Sequence, residues 1–303
     1  MTKICKRETL KKYLDIIKSI NELIVFKHSI FALPFIFIAM IVSSSLLHHT
    51  MWFGWRLLIL GLLAAVSARS FAMAFNRWAD KDIDKFNPRT KERPSVDGRV
   101  GEANMIGFIA INALIFVIVA YFINTLAFYL SIPILIVLGG YSIFKRFSET
   151  AHFVLGLSLG LAPIAGAVAV SESIPIWAVM LCIGVMYWVA GFDLLYSLQD
   201  MEYDRANKLF SIPSKYGKEA TFFMSKLFHA QTILFWVLFA YLANLGILSY
   251  VGIIISAIIL YKEHQIVAKD FSKIDKAFFT LNGYIGIIFF LFVWMDRFFM
   301  NGV

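Results

Sequence analysis

Runs of about 20 mostly apolar residues follow one another along the chain, and this feature most restricts what the chain can fold into. A membrane-spanning α-helix needs about 20 such residues. Nine segments qualify: 24–46, 56–79, 103–123, 126–144, 152–171, 175–199, 220–243, 246–261 and 278–299. Composition agrees, since 60% of the residues are hydrophobic and only 16% are charged, against about 25% charged in a soluble domain. The sequence predicts an all-α, polytopic membrane bundle of about nine transmembrane helices.

Basic residues lie on alternate connections between these segments. Most of the 28 Lys and Arg precede the first segment or follow the second, fourth, sixth and eighth, whereas the connections 47–55 and 172–174 contain none. Because basic connections stay on the cytoplasmic side of a membrane, we expect a cytoplasmic N-terminus. The net charge of +8 is therefore explained by topology, and we expect a lipid bilayer as partner, with no nucleic acid and no protein partner.

The whole chain, 1–303, is predicted to form one integral membrane domain. Residues 1–23 are a basic cytoplasmic leader, in which 8–23 is either an amphipathic surface helix or a solvated segment that only sets topology. The remainder divides into two similar halves, with acidic motifs at 76–84 and 193–204.

These two motifs have the same spacing. In the first, Asn76, Asp80 and Asp84 lie four residues apart, and in the second the same interval separates the residues Tyr196, Asp200 and Asp204. On a helix this spacing places side chains on one face. Each motif ends a helix that runs towards the cytoplasm and precedes a basic loop containing proline. We interpret the pair as an internal repeat whose acidic stripes face each other across a cavity open to the cytoplasm.

Carboxylates stacked in this way repel each other and call for cations. With no His or Cys nearby, oxygen ligands suit Mg²⁺, which binds through one or two carboxylates together with substrate phosphates. The neighbouring Arg and Lys side chains match the oxygens of a diphosphate. The alternative, that these are solvated aspartates paired with nearby lysines at ordinary helix ends, explains one such motif better than two.

The motifs resemble those of the UbiA superfamily of intramembrane prenyltransferases. Its first motif is similar to Asn76-x3-Asp80-x3-Asp84, followed by Asn87-Pro88-Arg89-Thr90-x2-Arg93-Pro94. Its second is similar to Asp193-x2-Tyr196-x2-Gln199-Asp200-x3-Asp204, and Tyr141-x3-Lys145-Arg146-Phe147 looks like a third family segment. The chain departs from the family at Arg77, where many members have Asp, so this position offers no metal ligand.

The resemblance implies transfer of a polyprenyl group from polyprenyl diphosphate to a hydroxylated aromatic acid, such as 4-hydroxybenzoate or a naphthoate, in ubiquinone or menaquinone biosynthesis. It implies two Mg²⁺ held by the carboxylates and amide of the two motifs: Asn76, Asp80, Asp84, Asp200 and Asp204. It also suggests that four residues take part directly in catalysis: Asp80, Asp193, Tyr196 and Asp200.

Basic residues near the motifs are candidates for the diphosphate: Arg89, Arg93, Lys145 and Arg146. For the last two, a role in topology alone is the alternative. Arg69, nearly two helical turns before Asn76, is our candidate for the acceptor's carboxylate, against a diphosphate contact or a structural ion pair.

Lys27–Phe35 looks like the family branch associated with menaquinone made by the futalosine route. A transporter with intramembrane carboxylates, and a prenyltransferase for another acceptor such as haem, remain alternatives. We expect the protein in a bacterial cytoplasmic (inner) membrane, with its active site facing the cytoplasm.

Overall fold

The computed structural model describes residues 18–20, 22–23, 31–270, 274 and 277–301, and within these ranges it contains helices and no β-strand. The helices are α1 (Leu33–His48), α2 (Trp55–Ala79), α3 (Lys81–Asp84), α4 (Glu102–Ile123), α5 (Thr125–Phe144), α6 (Ala151–Ser171), α7 (Ile176–Ser197), α8 (Met201–Ala206), α9 (Ile212–Leu242), α10 (Ile247–Lys269) and α11 (Asn282–Asn301). Residues 1–17 of the predicted leader, and Lys27–Ile30 of the branch-specific segment, lie outside the described ranges.

Eight helices in the described part of the chain are long and apolar enough to cross a membrane. A further apolar helix, α1, has 16 residues and corresponds to the predicted first span, 24–46, whose beginning lies outside the described ranges. The all-α membrane bundle predicted from the sequence is confirmed. The cytoplasmic placement of the N-terminus stays a prediction.

The short connection at Asn124, between the predicted spans 103–123 and 126–144, is built around that residue's side chain. Its Oδ1 accepts a hydrogen bond from Ala127 N at 2.8 Å and so caps the start of α5. Its Nδ2 donates to Val168 O at 2.7 Å, near the end of α6. The side-chain amide of Asn124 therefore caps α5 and ties its start to α6, while the backbone N–H of the same residue bonds to Ala120 O of α4.

Two helices extend further than the sequence predicted. The predicted span 220–243 begins at Ile212 in the structure, because a kink at Gly217 (φ 80°, ψ 179°) adds a short helical segment before the span. The predicted span 246–261 continues to Lys269. Beyond the predicted end, Lys262 is exposed, but Glu263 is 1% exposed and accepts a hydrogen bond from Asn282 at 2.8 Å.

The helix α7 lies at the centre of the bundle, between α6 and α9, while α1 contacts both α6 and α11. Close approach of α6 and α7 depends on glycine, because a Cβ at Gly156 would lie 2.3 Å from the carbonyl oxygen of Met186. This contact brings the first turn of α6 against the second half of α7. The second acidic motif continues from that half of α7.

Candidate active site

The middle aspartate of each motif occupies a break between a long helix and a short one. Asp80 separates α2 from α3 with φ −93° and ψ 1°. Asp200 ends a short 3₁₀ segment before α8 with φ −98° and ψ 1°. This sparsely populated backbone region is one where many active-site residues lie. The repeat predicted from spacing therefore recurs in backbone conformation, although each stripe turns at its middle aspartate instead of following one continuous helix face.

In the first motif, one oxygen of Asp80 receives two donors. The Asp80 Oδ2 atom lies 2.8 Å from Lys145 Nζ and accepts from Asn76 Nδ2 at 2.9 Å. Asp80 is 3% exposed, and burial raises the pKa of its carboxyl, an effect that nearby Lys145 opposes. Its Oδ1 atom is buried and has no hydrogen-bond partner within the described ranges.

Asp84, the last residue of this motif, is also 3% exposed. It forms an ion pair with Arg93, whose Nη1 lies 2.6 Å from Asp84 Oδ2. The Thr90 hydroxyl donates to the backbone oxygen of Asp84 at 3.1 Å. The loop after α3 is therefore folded back onto the motif that precedes it.

The second motif is neutralised by residues of that same loop. Arg89 forms a bidentate ion pair with Asp200, with Nε 3.0 Å from Oδ1. Its Nη1 donates to the Tyr196 hydroxyl at 3.0 Å, and its guanidinium lies 5.3 Å from the centre of the Tyr196 ring. Asn87 Nδ2 adds a further hydrogen bond to Asp200 Oδ1 at 3.1 Å. The two motifs thus meet through one loop.

A short turn at Asn87 orients the loop that carries Arg89. Asn87 Oδ1 accepts a hydrogen bond from Arg89 N at 2.9 Å, which closes an Asx turn around Pro88. A further hydrogen bond joins the two motifs: the side-chain hydroxyl of Tyr203 donates to the backbone oxygen of Ile83 at 2.8 Å. Asp204 accepts from the Ser211 hydroxyl and lies within electrostatic reach of Asp200 and Lys145.

Arg146 lies apart from the other diphosphate candidates. It pairs with Asp82 at 2.6 Å and donates to the backbone oxygen of Ala79 at 2.5 Å. The Asp82 side chain is 65% exposed, and the hydrogen bonds from Arg146 lower the pKa of its carboxyl. The structure therefore groups Arg89, Arg93 and Lys145 on the motif carboxylates and places Arg146 on a neighbouring one.

An apolar cavity of about 200 Å³ lies between α1, α2, α4, α5 and α6. Its wall includes residues from Ala127 to Tyr141 of α5, about 21 Å of helix at 1.5 Å per residue. Two polar side chains of the wall, Arg69 and Tyr141, lie towards the end where the motifs are. The Arg69 Nε is buried and, among the described residues, has no hydrogen-bond partner. The contact of Arg69 with an acceptor stays a prediction.

The donor set fits a hard divalent cation by its chemistry. It consists of carboxylate and amide oxygens, and the buried Asp80 Oδ1 supplies one oxygen without a partner. Two further carboxylates form ion pairs, Asp84 with Arg93 and Asp200 with Arg89. Among the described residues, no three His, Cys, Asp or Glu side chains converge on one point. Binding of a metal by both motifs therefore requires these arginines to release their carboxylates.

Two residues that our sequence interpretation did not assign to the site lie in it. Asn87 bridges the motifs, and the Asn-Pro pair in a loop was the sequence signal that could have identified it. His152 contacts Asp193, with Nδ1 2.7 Å from Oδ2. A single histidine near the start of an apolar span gives no sequence signal of that pairing.

Comparisons with known proteins identify the family of this chain. The profile of the family described as "UbiA prenyltransferase family" matches residues 32–294. The 4-hydroxybenzoate octaprenyltransferase of Yersinia pseudotuberculosis serotype IB (strain PB1/+) is 28% identical over 260 residues, which cover 82% of this chain and 89% of that protein. The corresponding enzyme of Yersinia enterocolitica serotype O:8 is 27% identical over 265 residues, covering 84% of this chain and 91% of that protein.

Solved structures show the same architecture. The apo structure of a UbiA homolog from Aeropyrum pernix K1 superposes with a TM-score of 0.80 at 30% identity, covering 89% of this chain and 98% of that one. A UbiA homolog from Archaeoglobus fulgidus bound to DMAPP and Mg²⁺ superposes with a TM-score of 0.69 at 17% identity, covering 92% and 99%. The latter shows a shared fold.

Proposed function

This chain belongs to the UbiA prenyltransferase family and is an aromatic prenyltransferase of the membrane, and we propose that it transfers a polyprenyl group from polyprenyl diphosphate to a hydroxylated aromatic acid for quinone biosynthesis. The observation that carries the proposal is the meeting of the two acidic motifs, through Asn87 and Arg89, beside a long apolar cavity. The relatives named 4-hydroxybenzoate octaprenyltransferase support this class of acceptor.

In the proposed reaction, Asn76, Asp80 and Asp84 of one motif and Asp200 and Asp204 of the other hold Mg²⁺ as a pair of ions. When bound, the metal neutralises diphosphate oxygens and so assists departure of the diphosphate. The chain's own cations, Lys145, Arg89 and Arg93, give up the motif carboxylates and contact the diphosphate oxygens instead. Arg146 remains a further candidate through its position beside Asp82.

Cleavage of the allylic C–O bond leaves the prenyl group as a carbocation, which the aromatic ring attacks at a carbon ortho to its hydroxyl. Tyr196, whose ring already lies against the Arg89 guanidinium, can offer its π face to the cation. Because water would capture the cation as an alcohol, the apolar wall of the cavity also protects the reaction. We place the prenyl tail along that wall.

Arg69 supplies selectivity for an acid in this proposal. Its guanidinium has an unpartnered Nε at the end of the cavity that faces the motifs, where a carboxylate on the ring can pair with it. We further propose that the protein is in a bacterial cytoplasmic membrane with this site facing the cytoplasm, as the alternating basic connections predict.

The test is incubation of the purified protein with Mg²⁺ and polyprenyl diphosphates of several lengths. The acceptor panel contains hydroxybenzoates, hydroxynaphthoates and haem, and products are identified by mass spectrometry. We expect a C-prenylated aromatic acid and no product after addition of EDTA. Prenylation of haem alone, or full turnover without a divalent metal, would contradict the proposal.

A further inference from the structure

A histidine on the first turn of α6 and an aspartate inside α7 form a buried pair. His152 is 5% exposed, and its Nδ1 lies 2.7 Å from Asp193 Oδ2. An ionised carboxylate only accepts hydrogen bonds, so Nδ1 carries the hydrogen of this contact. In the neutral imidazole the other nitrogen, Nε2, then presents a lone pair.

The second ring nitrogen of His152, Nε2, is buried without a hydrogen-bond partner among the residues the structure describes. A buried polar atom without a partner costs about 1–3 kcal/mol. The pairing with Asp193 therefore orients the imidazole and leaves Nε2 buried with its lone pair available.

The pair lies between the second motif and the apolar cavity. Asp193 precedes Tyr196 by three residues on α7, and Asp200 follows after the short 3₁₀ segment that ends this helix. On α6, Leu155 and Leu159 stand three and seven residues after His152 and line the cavity wall. His152 also lies within electrostatic reach of Asp204. In the proposed reaction, the aromatic ring would lie beside His152, with its attacked carbon towards the diphosphate.

We propose that His152 Nε2 accepts the ring proton in the prenyl transfer, an assignment that rests on the proposed function. The allylic C–O bond breaks and its electron pair leaves with the diphosphate. A π electron pair of the acceptor ring forms the new C–C bond. The electron pair of the ring C–H bond then returns to the ring, and the proton passes to Nε2.

Asp193 acts through His152 and is a positioning residue in this step. Its carboxylate holds Nδ1–H, which orients the ring and offsets the positive charge that the imidazole gains. This role differs from the direct catalytic role that the sequence suggested for Asp193.

The discriminating variants are His152→Asn and His152→Gln, compared with His152→Ala. Asparagine keeps an N–H donor near the Nδ1 position for Asp193, and glutamine places an amide near the Nε2 position, but neither supplies a basic nitrogen. We expect both to lower kcat by about 10²–10⁴-fold, the usual contribution of general acid–base catalysis. Imidazole added to the medium should restore part of the activity of His152→Ala.

Two further readouts separate this role from a structural one. Mg²⁺-dependent binding of a non-reactive prenyl thiolodiphosphate should be unchanged in His152→Asn, because proton removal follows diphosphate departure. In this variant, an acceptor deuterated at the attacked carbon should react more slowly than the same acceptor with ordinary hydrogen there. Loss of the ring proton then limits the rate.

Wild-type kcat in His152→Asn and His152→Gln would overturn the assignment, as would a defect confined to diphosphate binding. Failure of the proposed function gives a different result, in which the wild-type protein itself transfers no prenyl group to any aromatic acid while still binding the thiolodiphosphate. That result would refute this inference together with the function on which it rests.

Discussion

Asp80 and Asp200 share a backbone conformation but differ in what surrounds their carboxylates. The Asp80 side chain is 5% exposed and is neutralised by Lys145, from the end of α5 in the same half of the chain. The Asp200 side chain is 19% exposed and is neutralised by Arg89, which comes from the loop that follows the first motif. The two motifs have equal spacing, but their middle aspartates differ in the cation that pairs with them and in their exposure to solvent.

This difference indicates which motif is prepared for a metal. Asp80 keeps one buried oxygen without a hydrogen-bond partner in the described part of the chain, so a cation can bind there without displacing a donor from that atom. Both oxygens of Asp200 are held by Arg89, and Asn87 also contacts one of them. We therefore interpret the first motif as the prepared one and the second as closed by Arg89 until the diphosphate draws that side chain away.

The largest effect is expected from Asp80→Asn, which removes the negative charge of the prepared motif. We expect kcat to fall by about 10³-fold, the upper end of the loss seen when one charge-stabilising group is removed from an active site. Steady-state rates of prenyl transfer at saturating Mg²⁺ measure this effect.

Asp82→Asn is the matched control, since this carboxylate lies two residues away and its side chain is 65% exposed. It should keep near-wild-type rates. Equal losses in the two variants would mean that the charge of the helix end matters and the position of Asp80 does not.

An intermediate effect is expected from Arg69→Ala, which tests whether the first half also anchors the acceptor. Loss of a hydrogen bond to a charged group costs about 1.5–3 kcal/mol, so the KM for the aromatic acid should rise about ten- to a hundredfold. The KM for prenyl diphosphate should change little. A phenol without the carboxylate should react equally with both proteins.

A defect of Arg69→Ala that is confined to the diphosphate KM would assign this residue to the diphosphate site. It would leave the acceptor's carboxylate without a partner in our account.

The smallest effect is expected from Arg89→Ala, measured as Mn²⁺ affinity in the absence of diphosphate. Removing the cation that competes for Asp200 should strengthen metal binding several-fold, because the carboxylate no longer has to be released from an ion pair. The KM for prenyl diphosphate should rise in the same variant, since one of its ligands is lost.

Arg146→Ala provides the comparison for Arg89→Ala, because Arg146 pairs with the exposed Asp82 instead of a motif carboxylate. Its metal affinity should equal that of the wild type. Weaker metal binding in Arg89→Ala would show that Arg89 supports the site and does not close it.

The sequence predicted the spans and the positions of both motifs because apolar length, charge alternation and spacing are local properties of the chain. It did not predict the contacts that distinguish the motifs. The hydrogen bond from Asn87 to Asp200 and the contact of His152 with Asp193 join distant segments. The Asn-Pro pair marks a turn at Asn87, but neither Asn87 nor His152 carries a sequence signal that identifies its partner. The predicted span 246–261 is too short because the sequence does not distinguish a buried charged residue, such as Glu263, from an exposed one, such as Lys262.

The central claim is that both motifs hold metal around one diphosphate. It is tested most directly by counting Mn²⁺ bound per protein, by electron paramagnetic resonance, in the presence of a prenyl thiolodiphosphate. Our account predicts two ions in the wild type, and one each in Asp80→Asn and Asp200→Asn. A single ion in the wild type, or a count that neither substitution changes, would contradict it.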